Sequence, residues 1–252
     1  MDTLVAEFEK MNGSKDMRNN HDGDNEKLSR LCYIIGTYMY ANGKDDEALV
    51  YFKKGLKEIL NPTVDQKLLS ADIDNSIGTV YHKKGDYDNA SVNYRKALEI
   101  RLEVLGPDHP ITAGTYNNIG SAYYLMGCYE NALAEYRKCL EIRLKGLETD
   151  HPEAAGTYSN LGTVYCAKGD YDYALVEFSK ALKIQLKVLG PDHPRTAESH
   201  HSIGGMYHQK GDHDNALIEF SKALEIQLKV LGPNHSDTIR TRKNIKIAVS
   251  ML

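Results

Sequence analysis

The stretch Tyr116-Asn117-Asn118-Ile119-Gly120-Ser121-Ala122-Tyr123-Tyr124, followed by Gly127, Ala132, Tyr136, Cys139 and Leu140, decides the reading of this chain. Tyr116, Ile119, Gly120 and Tyr123 follow the i, i+3, i+4, i+7 spacing of one helix face, and the segment after Gly127 repeats that pattern. Two helices therefore meet at a tight turn, and Gly127 supplies the left-handed conformation that ends the first. Working outward, the same residues return every 42 positions. One glycine column runs Gly36, Gly78, Gly120, Gly162, Gly204, and another runs Gly43, Gly85, Gly127, Gly169, Gly211. Ala48, Ala90, Ala132, Ala174 and Ala216 keep the step, as do Phe52, Tyr94, Tyr136, Phe178 and Phe220. A fixed period of this length is the mark of stacked supersecondary units.

Each copy thus predicts an antiparallel helix hairpin. The first glycine and the alanine carry no bulk, so the two helices can approach where the aromatics interlock. All seven prolines fall between copies, where helices must stop. Leu105-Gly106-Pro107-Asp108-His109-Pro110 recurs as Leu189-Gly190-Pro191-Asp192-His193-Pro194, a glycine stop followed by a polar start with proline in the first turn. His109, His151, His193 and His235 belong to this column and are expected to cap or brace helices. The acidic triplets Asp86-Tyr87-Asp88 and Asp170-Tyr171-Asp172 complement a helix N-terminus.

These residues resemble the tetratricopeptide repeat. The 42-residue period, the lengthened second helix and the Leu-Gly-x-Asp-His-Pro linker resemble its kinesin-light-chain subtype. The resemblance implies an all-α fold, a right-handed α-solenoid (superhelix) of antiparallel hairpins. The array is expected over residues 25–251, as five copies plus a C-terminal capping helix from about Thr238. Residues 1–24 form a polar arm, flexible or an extra helix, in which Leu4, Phe8 and Met11 share a helical face. About 25 residues are too few for the heptad coiled coil that binds a motor heavy chain, so a free-standing repeat protein is expected.

Composition narrows the function. Lys plus Arg number 31 against 35 Asp plus Glu, a net charge of -4, without the basic excess of a nucleic-acid binder. No window has the run of apolar residues that crosses a bilayer, and the N-terminus has no secretory pattern. Cytoplasm is the expectation, with the four cysteines reduced. There is no G-x-S-x-G, no phosphate loop, and Cys166 has no evident activating base, so no enzyme and no cofactor are expected.

Binding is then the expected function. With Tyr116 counted as position four, positions 4, 7, 8 and 11 face the second helix. Positions 2, 5, 9 and 12 form a neighbouring stripe, which the resemblance places in a concave groove. That stripe contains Asn75, Thr79, His82, Asn117, Ser121, Tyr124, Ser159, Thr163, His201, His208, Arg240 and Lys243, with Asn118 and Asn160 beside it at position 6. Hydroxyls and amides supply donors and acceptors for an extended peptide, although polarity alone also describes a solvated helix face. The Lys–Asn pair with which chaperone-binding relatives clamp a terminal carboxylate is missing from every copy. Arg240 and Lys243, with His201 and His208 nearby, predict a cationic end suited to an acidic stretch of a protein partner. Two other readings stay open at this point: a spacer or assembly module using its convex face or ends, and a metal-dependent protein using His200, His201 and His208.

Overall fold

The computed structural model describes residues 6–8, 10–11, 22–60, 62–146 and 151–252. The chain divides into two compact units, Met1–Cys128 and Tyr129–Leu252. Among the described residues the first unit holds α1 (Asp22–Ala41), α2 (Asp45–Lys57), α3 (Val64–Lys83), α4 (Tyr87–Val104) and α5 (Pro110–Leu125). The second holds α6 (Tyr129–Gly146), α7 (Pro152–Lys168), α8 (Tyr171–Val188), α9 (Pro194–Gln209), α10 (His213–Val230) and α11 (Ser236–Val249). The fold is all-α, in consecutive packed hairpins, and no strand occurs among the described residues. No described helix is long and apolar enough to cross a membrane.

The punctuation works as the residue chemistry requires. Gly85 and Gly169 turn their hairpins at φ of 79° and 82°, and Gly190 ends α8 at φ 87°. The linker histidines are N-caps: Nδ1 of His109, His151, His193 and His235 accepts from the backbone N–H two residues on, at 3.1–3.2 Å. The first linker has no histidine and solves the same problem with a capping box. Gln66 N–H donates to Thr63 Oγ1 at 3.3 Å, and Thr63 N–H donates to Gln66 Oε1 at 3.0 Å. The last helix starts at Ser236, two residues ahead of the sequence estimate, because His235 is its cap.

The first glycine column marks hairpin contacts. A Cβ on Gly78 would lie 2.7 Å from the Tyr94 ring, and one on Gly204 would lie 2.8 Å from Phe220. The alanine column is fully buried at Ala48, Ala90, Ala132, Ala174 and Ala216. The face assignment needs one correction. Ile119 and Gly120 are buried, but Tyr116 and Tyr123 are only half-buried. Thr112, Ala113, Thr115 and Ala122 are buried instead. A first helix in a stack is covered on two sides, by its own partner and by the preceding copy. At the seam between copies, tyrosine hydroxyls accept from arginines of the preceding helix: Arg95 of α4 donates to the Tyr123 hydroxyl, and Arg137 of α6 donates to that of Tyr165 at 2.7 Å.

At the N-terminal end, Phe8 is buried. Its ring meets the edge of Tyr51 on α2 at 5.5 Å, with Lys54 Nζ 5.1 Å from its centroid. Met11 packs on the same cluster. Leu4 lies outside the described residues.

Candidate functional site

From the second copy to the fifth, the stripe on the first helices is polar because positions 5, 6 and 9 carry amides, hydroxyls, a histidine or glycine, whereas the first copy has Tyr33, Ile34 and Thr37 there. In the first unit Asn75, Thr79, His82, Asn117, Asn118, Ser121 and Tyr124 are all half-buried. The structure brings several of them together. Asn118 Nδ2 on α5 donates to Asn75 Oδ1 on α3 at 3.1 Å, and His82 Nε2 lies 3.1 Å from Ser121 Oγ. These amides and rings thus knit neighbouring first helices before any partner arrives. Thr79 donates to the Asn75 carbonyl at 3.0 Å and receives the Tyr94 hydroxyl at 3.4 Å. Burial lowers the pKa of His82, so its ring is neutral at physiological pH.

In the second unit Ser159 and Asn160 are half-buried and Thr163 is exposed, its hydroxyl donating to the Ser159 carbonyl at 2.9 Å. His201 is held from α11 on both ring nitrogens. Asn244 Nδ2 faces Nε2 at 3.4 Å, so Nδ1 carries the proton and donates to Thr241 Oγ1 at 2.8 Å. Burial, with the Arg240 charge adding to it, pushes the His201 pKa down to about 4. His208 lies 3.2 Å from His213 on the next helix.

The expected cationic end is therefore smaller than the sequence suggested. His201 is neutral, and Arg240 forms a 2.8 Å ion pair with Asp237. Lys243 stays exposed on the stripe. The three histidines of the fifth copy do not form one constellation either. His200 is buried and lies 2.6 Å from the Glu219 carboxylate on α10, whereas His201 faces α11 and His208 faces His213. Among the described residues no three His, Cys, Asp or Glu side chains are grouped as a metal would need. Burial raises the Cys166 thiol pKa, which disfavours the reactive thiolate.

Two features escaped the sequence reading. Asp74 is buried at position four of its copy, where two later copies carry Tyr116 and Tyr158. Burial pushes its carboxyl up to about 6, against the pull of Lys96. The second is a polar lock between copies. Arg101 and Arg143 donate to the hydroxyls of Thr115 and Thr157 at 2.5 Å and 2.6 Å, and Ser199 donates to Gln185 at 2.7 Å. Both columns, Arg101-Arg143-Gln185-Gln227 and Thr115-Thr157-Ser199-Thr241, step by 42 and were visible in principle.

Comparison with known proteins places this geometry in a family. The tetratricopeptide repeat profile matches residues 69–145, 112–175, 153–229 and 199–252. No curated protein matches the chain. Among solved structures, BtubC (BKLC) from P. vanneervenii shares 20% identity at a TM-score of 0.75, covering 92% of this chain and 91% of that one. A putative kinesin light chain from Podosopora anserina with nearly identical TPR-like repeats shares 20% identity at a TM-score of 0.69, covering 84% and 98%. RapI in its apo form shares 17% at a TM-score of 0.70, covering 88% and 83%. At these identities the likeness is one of fold. The chain belongs to the tetratricopeptide repeat family, with hairpins that step by 42 residues.

Proposed function

We propose that this protein is a non-enzymatic interaction module of the cytoplasm that holds an extended segment of a partner protein along the stripe of its first helices. One observation supports the reading: from the second copy to the fifth, Asn, Ser, Thr and His side chains, most of them half-buried, occupy this stripe without aliphatic neighbours on it. An extended backbone offers one donor and one acceptor per residue, and a row of amides satisfies both. Asn75 and Asn118 spend one amide hydrogen bond on each other and keep further donor and acceptor capacity for a ligand. Asn117 in the first unit, and Ser159 and Asn160 in the second, would each hold the part of a segment that lies on their own unit. An acidic residue of the partner would meet Lys243, with Arg240 shared between it and Asp237.

A peptide array probed with the purified chain tests this reading. Binding of extended acidic peptides that weakens with rising salt and is lost in Asn117→Ala/Asn160→Ala supports it, since exposed charges are screened. An array with no binder, alongside self-association or binding that tolerates these substitutions, favours the spacer or assembly role.

A further inference from the structure

Two positions five residues apart recur across every hairpin turn with the 42-residue step. One lies in the last turn of the first helix, and the other opens the second helix. They hold Tyr40 and Asp45, His82 and Tyr87, Tyr124 and Tyr129, Cys166 and Tyr171, and His208 and His213. In the second copy the two rings meet edge to face, with centroids 5.4 Å apart. In the fifth the centroids are 5.0 Å apart, and Nδ1 of His208 lies 3.2 Å from Nδ1 of His213. The fifth copy alone has an imidazole at both positions.

The turn holds the backbone on both sides of this pair. Gly211 takes φ of 80°, and its N–H donates to the His208 carbonyl at 3.0 Å. Asp212 N–H donates to the Tyr207 carbonyl at 2.9 Å. The Asp212 carboxylate caps α10, accepting from Asn215 N–H at 3.2 Å and from Asn215 Nδ2 at 2.7 Å. Two neutral imidazoles so placed share one proton between the facing nitrogens. Their separation is also that of two ligands on one ion. Zn–N bonds of about 2.0–2.1 Å put two nitrogens about 3.3–3.4 Å apart at a tetrahedral angle and about 2.8–3.0 Å apart at a right angle. The surrounding charge favours a cation: Asp212 and Asp214 flank His213, and the Lys210 ammonium is paired with Asp172.

We propose that His208 and His213 form a chelating pair for a nitrogen-seeking divalent cation of the zinc, nickel and copper class, bound through both Nδ1 atoms. Each ring then carries its proton on Nε2, so the proton shared between the rings moves to the outer nitrogen of its own ring. Two protein nitrogens make an open site. The remaining positions take water, unlike the three or four protein ligands of a catalytic or structural zinc centre. Hard cations such as magnesium prefer oxygen and are not expected to bind here. His200 and His201 stand apart, committed to Glu219 and Thr241. The site needs neither a partner nor the stripe, so it does not rest on the interaction-module reading.

The test titrates the whole chain with zinc chloride and follows the histidine ring proton–carbon signals by NMR. The rings of His208 and His213 should respond together, ahead of the other eight of the ten histidines, and saturate with one ion per chain. Magnesium chloride should move neither ring. His213→Tyr gives the fifth copy the histidine–tyrosine combination that the second copy carries at His82 and Tyr87, so the hairpin is expected to fold. It should weaken zinc by roughly tenfold or more, as a chelate that loses one arm does. His208→Gln should do the same from the other helix and decides the matter if the first variant is misfolded. A response spread over many histidines with no first site marks adventitious binding only and overturns the proposal. So does a first ion at other histidines, an equal response to magnesium, or unchanged zinc affinity in the folded variants.

Discussion

Arg143 donates to the hydroxyl of Thr157 across the junction of α6 and α7 at 2.6 Å, and Arg101 makes the same bond to Thr115 at 2.5 Å in the first unit. The guanidinium of Arg101 is buried, so it is stable there only because the hydroxyl and Asp72 take up its donors. The first copy solves the junction without polarity: Ile59 and Ile73 stand at the equivalent positions and share one apolar cluster. Both are complete solutions, and a mixture is not.

Arg101→Ile alone should cost about 1–3 kcal/mol, because Thr115 and Asp72 lose their partner. The double variant Arg101→Ile/Thr115→Ile should recover most of that loss, as buried polar pairs are often replaceable by apolar ones. Urea melts of both variants give the comparison; a double variant no better than the single would contradict the equivalence with Ile59 and Ile73.

Gly204 and Gly205 are adjacent in α9 yet should respond to alanine with opposite signs. A Cβ at Gly204 would come within 2.8 Å of Phe220, whereas one at Gly205 meets nothing within 4 Å. Gly204→Ala should destabilise by about 1–3 kcal/mol through overpacking. Gly205→Ala should stabilise by about 0.5–1 kcal/mol, since it removes unfolded-state freedom in a helix. Thermal melts of the two variants read this directly. Equal shifts would refute the hairpin contact.

Stability should depend on pH in two opposing ways. Asp74 has its carboxyl raised from 3.8 to about 6 by burial, so it keeps a proton that the unfolded chain has lost. Stability on this account falls as pH rises from about 4 to about 6, by on the order of 2–3 kcal/mol, and stays reduced above that. Asp74→Asn should therefore be more stable than the parent at pH 7.5 and equal to it near pH 4. His201 runs the other way. Its pKa falls from 6.5 to about 4, so the unfolded chain takes up a proton that the fold refuses. Stability falls as pH drops through that window, and His201→Gln should flatten the decline. Denaturant melts across the range separate the two slopes.

Phe8 lies against Tyr51 and Lys54, on the second helix of the first hairpin rather than on the first-helix stripe. Phe8→Ala should cost about 2–4 kcal/mol in the first unit, as for other buried aromatic truncations. Removing residues 1–22 should lower the melting temperature and leave affinity for a peptide selected on the array unchanged. A tighter-binding truncated chain would show instead that the arm competes for the stripe.

The repeat was legible in the sequence because its cause is local. Gly85 and Gly169 stand where the backbone must turn left-handed, Pro110 and Pro194 where a helix must start, and Ala174 where two helices touch. Each of these demands acts on a single residue, so it recurs at a fixed step and can be read without coordinates. The capping role of His109 and His193 was legible for the same reason. What a side chain meets in the neighbouring copy was not. Asn118 and Asn75 are 43 residues apart and Arg101 and Thr115 are 14 apart, and nothing in either residue names its partner until the hairpins stack. Stacking also decided charge: it made His201 a neutral brace held by Thr241 of the next copy, although the sequence presents it as a cation on an open stripe. The sequence by itself determined the hairpin, its period and its family. Only the tertiary structure decided which polar groups are consumed in joining copies, because desolvation and hydrogen-bond pairing depend on neighbours distant in the chain.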